Sequence, residues 1–132
     1  PKGISYMSDA IHHECGLAMI RLRKPLSYYH EKYGTSLHGL KSLQLLMRKM
    51  RNRGQDGAGI ATIKIDHPPG KKFISRKRSN DKNYLDHLWA GVYRRFDELT
   101  PEQLADGEYL KSNLPYTGEL MMSHLRYGTH GG

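Results

Sequence analysis

Cys15-Gly16-Leu17-Ala18-Met19-Ile20 is the stretch from which the rest of the chain is read: one thiol, one glycine, then an apolar run with the character of a buried strand. Cys15 is the only cysteine among 132 residues, so no internal disulfide is open to it. The uses left to it are packing, metal ligation or nucleophilic attack. A single thiol also fits a reducing, cytoplasmic setting.

Outward from this strand, expected over residues 14–22, Pro25 interrupts the pattern and a tyrosine-rich, charged segment runs to Gly34 and Thr35. Leu37, Leu40, Leu43, Leu46, Met47 and Met50 then recur at three and four, predicting an amphipathic helix with Lys41, Arg48 and Lys49 outward and Gly54 as its stop. Over residues 58–66, Ala61, Ile63 and Ile65 alternate with Thr62 and Lys64, as in a strand with one covered face. His67-Pro68-Pro69-Gly70 dictates a turn, after which residues 72–78 return as a second, short strand.

Tyr84, Leu85, Leu88, Trp89, Val92 and Phe96 trace another helical stripe, entered from the capping residues Asn80-Asp81. Thr100-Pro101-Glu102-Gln103 has the form of a capping box and predicts a short helix. Residues 118–125 read as a last strand. Strands interleaved with helices, without internal repeats, imply α+β or α/β layers, and α+β is the class expected here.

A length of 132 residues suits one domain. The 21 Lys and Arg against 13 Asp and Glu give a formal charge of +8, which favours phosphate-bearing partners. The basic residues, however, are spread over 21–24, 48–53, 71–78 and 94–95 rather than gathered with aromatics on one element. They read as solvated faces, and no nucleic-acid partner is expected. The competing reading is a basic nucleic-acid module using residues 71–78 and Arg94-Arg95. No stretch approaches the roughly 20 apolar residues of a helical membrane span, so no membrane partner is expected either. The first fourteen residues are polar and lack the pattern of a signal peptide.

Three segments carry chemistry, all at element ends where polar groups can converge: Cys15-Gly16, residues 52–59 with Gly54, Gly57 and Gly59, and residues 124–131 with Arg126, Tyr127, Thr129 and His130. Arg126 offers a guanidinium fork for a carboxylate, with hydroxyl and imidazole donors nearby. The glycine spacing matches neither the dinucleotide fingerprint nor the phosphate loop. A metal site built on His12, His13 and Cys15 lacks a second ligand pair at the usual spacing, and no protease-type Cys/His/Asn arrangement is evident. One further base is open to Cys15: its own α-amine, once the residues before it are removed.

Taken together, Cys-Gly-Leu-Ala-Met-Ile (15–20), Arg-Gly-Gln-Asp-Gly-Ala-Gly (53–59) and His-Leu-Arg-Tyr-Gly-Thr-His-Gly (124–131) resemble the signature of the class II glutamine amidotransferases, whose glutaminase domains are N-terminal-nucleophile hydrolases. Within that group the insert at 25–39 and the Asn-Arg-Gly-Gln-Asp form are most similar to the amidophosphoribosyltransferases. The resemblance implies a four-layer αββα sandwich, incomplete in this chain. It implies that Cys15 attacks the side-chain amide of glutamine with its freed α-amine as base. Arg126 would bind the substrate α-carboxylate, Arg53, Tyr127, Thr129 and His130 would line the pocket, and Gly54 would lie close to the substrate.

The same resemblance implies a synthase domain, missing from this chain, that joins the ammonia to phosphoribosyl pyrophosphate with Mg. It implies no cofactor or metal in the glutaminase part and a homo-oligomeric full-length enzyme. Residues 1–14 then read as a leader with Met7 as initiator, and residues 15–132 as a partial glutaminase domain whose Asn-Gly oxyanion hole is expected outside the chain. Unprocessed and alone, this polypeptide is expected to show little glutaminase activity. The alternatives are the glutaminase module of another synthase, such as the one making glucosamine phosphate, and a catalytically silent relative with a structural or regulatory role.

Overall fold

Four strands, β1 (Gly16–Arg21), β2 (Gln55–Ile63), β3 (Ile74–Ser79) and β4 (Leu120–Tyr127), pair antiparallel in the spatial order β1-β4-β2-β3. The computed structural model describes residues 16–127. Five α-helices accompany the sheet: α1 (Leu26–Tyr33), α2 (His38–Met50), α3 (Tyr84–Tyr93), α4 (Pro101–Ala105) and α5 (Gly107–Asn113), with a 3-10 turn at Phe96–Glu98. The architecture is α+β. None of these helices is long and apolar enough to cross a membrane.

Two helices make the core. The i, i+3, i+7 stripe of α2 buries Leu40, Leu43 and Met47 against β1 and β4. Leu85, Leu88 and Val92 of α3 do the same against β2 and β3. The sheet answers with Ala18 from β1, Ala58 and Ile60 from β2, and Met121 and Leu125 from β4. The capping box predicted at Thr100 is formed, with Gln103 N–H donating to Thr100 Oγ1 at 3.1 Å and Thr100 N–H donating to Gln103 Oε1 at 2.9 Å.

Several expectations change in detail. β1 is an edge strand and not a fully buried one: Ala18 is covered, but Leu17 and Met19 are 64% and 62% exposed because α2 packs on one face only. The phase of β2 is reversed. Residues 58, 60 and 62 face the helices, with Thr62 only 1% exposed, while Ala61, Ile63 and Ile65 are half-buried. The tyrosine-rich segment after Pro25 is a helix, α1, closed by Gly34 in the left-handed conformation, its N–H donating to the His30 carbonyl.

At the start of α3 the N-cap is Asn83, not Asn80 or Asp81; Asp81 instead accepts from Asn83 N–H at 3.0 Å and pairs with His87. A second short helix, α5, follows α4 from an Asp106 cap that accepts from Tyr109 N–H. The last strand runs from Leu120, two residues later than read from the sequence, and continues to Tyr127.

Strand alternation leaves Leu17, Met19, Ala61, Ile63, Ile74 and Met122 on the face away from α2 and α3. These residues form an apolar patch, uncovered among the described residues, on a face that Arg76, Arg78, His124 and Arg126 share.

Candidate functional site

Antiparallel pairing brings the three segments singled out in the sequence to one end of the sheet. β1 starts at Gly16, which pairs with Leu125 near the end of β4; Gly57 near the start of β2 pairs with Arg126, and Gln55 with Tyr127. A β-bulge between Gln55 and Gly57 lets the incoming turn curl over this corner. Cys15 immediately precedes Gly16 in the chain.

The turn before β2 is held from within. Asn52 N–H donates to Gln55 Oε1 at 2.6 Å, and Gln55 N–H donates to the Asn52 carbonyl at 3.3 Å. Gln55 is buried, with its amide beside Gly16. Gly54 occupies the left-handed region at φ +94°, and a Cβ there would come within 2.7 Å of the Tyr127 ring. Only glycine meets both demands without strain. Arg53, next to it, is exposed.

Arg126 is exposed, its stem running along Gly57 so that a Cβ on that glycine would stand 3.4 Å from Arg126 Nε. Two residues earlier on the same face, the His124 imidazole lies over Gly59, where a Cβ would come within 2.5 Å of Nε2. Arg78 of β3 pairs with Gly59 from the other side. Burial first, then the Arg126 and Arg78 guanidinium groups, hold the His124 imidazole below its ordinary value, so it is neutral at pH 7. Arg78, Ser79, Asn80, His124 and Arg126 line a cleft of about 650 Å³.

Of the sequence-predicted site residues, Gly54 and Tyr127 touch and Arg53 lies in the same turn, while Arg126 stands at the same end of β4 but on the opposite face of the sheet, with Gly57, His124 and Arg78. Cys15, Thr129 and His130 lie outside the described residues, as do His12 and His13 of the metal reading. Among the described residues no three His, Cys, Asp or Glu side chains form a metal-sized group.

Gln55, Arg78 and His124 belong to the corner but were not singled out as site residues. Period-two alternation places His124 and Arg126 on one face of β4, opposite glycines at 57 and 59, and that pairing of long polar residues with glycines was the available signal. Arg78 carries no such signal, because the register of β3 emerges only on folding. The corner can present two guanidinium groups, a neutral imidazole and the open backbone of two glycines to an anionic or amide-bearing ligand. The chain matches no protein-family model, no curated protein and no solved structure.

Proposed function

We propose that this chain is the glutaminase part of a glutamine-dependent amidotransferase, with Cys15 as nucleophile. The observation that carries the reading is the strand register that brings the backbones of Gly16, the Gly54 turn and Arg126-Tyr127 to one end of the sheet, since a thiol acting on glutamine needs a carboxylate anchor and a close-fitting backbone within reach.

In this mechanism the α-amine of Cys15, exposed by removal of residues 1–14, takes the thiol proton; its ordinary pKa of about 8 suits it to that task near neutrality. The thiolate attacks the side-chain amide carbon of glutamine, ammonia leaves with the transferred proton, and a thioester remains that water hydrolyses to glutamate. Arg126 binds the substrate α-carboxylate as a two-point fork, which orients the amide toward the sulfur and separates glutamine from simple amides. Thr129, His130 and Arg53 complete the pocket, and the left-handed turn at Gly54 lets the substrate approach the backbone. The ammonia passes to a synthase partner, most similar in kind to one acting on phosphoribosyl pyrophosphate.

The reading includes the four-layer αββα sandwich. A second sheet in that sandwich needs an apolar bed, and the uncovered face bearing Leu17, Met19, Ile63 and Met122 supports it.

The test is glutamine binding to the chain beginning at Cys15, measured calorimetrically. Arg126→Ala weakens glutamine by about tenfold to a hundredfold, the worth of a charge-assisted pair. Equal affinity of the two proteins for glutamine contradicts the assignment of Arg126.

A further inference from the structure

The far end of the same sheet holds a second cleft, of about 730 Å³, enclosed by the β2–β3 hairpin, the end of α3 and the segment between α5 and β4. Counting from Gly57 to Lys64 along β2, it lies about 23 Å from the glutaminase corner at ~3.3 Å per residue. Basic residues that are scattered in the sequence converge here: Lys64, Lys71, Lys72, Arg94 and Arg95 line it, with the backbone of Arg76, and no Asp or Glu does. The spread of charge along the chain concealed a concentration of charge in space.

Lys64 is the decisive member. It is 9% exposed, and its ammonium makes no hydrogen bond or ion pair with any described residue. The neighbouring carboxylate, Glu119, is already engaged: one oxygen takes Lys111 at 2.7 Å and the other accepts from Ile65 N–H at 2.9 Å. Burial, followed by Lys111 and Lys72, pulls the Lys64 ammonium below its ordinary value, against Glu119, which raises it. A largely buried lysine stem that holds its ammonium at the cleft beside several other cations builds a local positive potential, and a ligand bringing several negative charges relieves that repulsion. Tyr116 adds an aromatic wall, its hydroxyl donating to the Arg76 carbonyl at 3.3 Å.

We infer that this cleft binds a small ligand carrying a chain of phosphates, of the size of a nucleoside diphosphate or triphosphate. The volume lies in the ordinary range of small-molecule sites, roughly 300–1,000 Å³. Several convergent cations suit a chain of phosphates rather than one carboxylate. The inference is independent of the glutaminase reading, since it uses no residue of that corner.

The experiment is calorimetric titration of the full chain with inorganic tripolyphosphate, ATP, adenosine and a single-stranded RNA of about 20 nucleotides, at low and physiological salt. The expected result is saturable one-to-one binding of tripolyphosphate and ATP that weakens with salt, and none of adenosine. Tighter ATP than tripolyphosphate assigns a nucleotide; equal affinity assigns the phosphate chain alone, and both support the inference. The double variant Arg94→Ala, Arg95→Ala, altering two exposed side chains, loses tenfold or more in affinity for both probes. Lys64→Met raises the melting temperature of the free protein while abolishing the rise that tripolyphosphate gives the parent. Failure of tripolyphosphate and ATP to bind below millimolar concentration, unchanged affinity in the variants, or binding confined to the RNA overturns the inference.

Discussion

Gly54 is where backbone and side-chain demands coincide, because its φ of +94° and the Tyr127 ring pressed against it each exclude a Cβ. Gly54→Ala is expected to cost about 1–2 kcal/mol for the left-handed backbone alone, with a further steric contribution from the ring. Urea unfolding of Gly54→Ala, Tyr127→Ala and the double variant separates the two, since removing the ring recovers the steric part but not the backbone part. A single alanine variant as stable as the parent contradicts the geometry. Gly54 and Arg126 were readable from the sequence as chemistry-bearing positions because their types are informative on their own. His124 and Gln55 were not. A histidine over a glycine, and an amide closing a turn onto Asn52, take their meaning from partners across the sheet or within the loop.

Elements with a clear apolar period were legible, and elements lacking one were not. The stripes of α2 and α3 predict both the helices and the faces they bury. α1 has no such stripe. Its only buried residue is Leu26, and its rings stack outward, Tyr33 on His38 at 4.0 Å between centroids. In β2 the period was readable and the phase was not, since both faces carry apolar residues and packing against α3 selects the one with Thr62. Local capping chemistry is the opposite case, fixed by four consecutive residues whatever the tertiary context. Thr100→Ala is accordingly expected to cost about 1 kcal/mol, lowering the urea midpoint with little change in slope, because it leaves Gln103 N–H without its acceptor. An unchanged midpoint removes the energetic role of the box.

For the whole molecule, the sheet is best described by its two ends and its open face. At one end, chain segments far apart in the sequence, Gly16 with Leu125 and Gly57 with Arg126, are drawn together by strand pairing, which no local pattern in the sequence encodes. At the other, lysines and arginines from distant parts of the chain gather around the largely buried Lys64. Between them lies an apolar surface, with Leu17 and Met19 outermost. The proposed glutaminase accounts for the first end and the surface; the second end calls for a different ligand. The central claim concerns Cys15, and its most direct test is intact-mass analysis of the chain beginning at that residue after exposure to the glutamine analogue 6-diazo-5-oxonorleucine. The account predicts one adduct per chain, on Cys15, suppressed by glutamine and absent from Cys15→Ser. Labelling that glutamine leaves unchanged, or that falls on other residues, contradicts it.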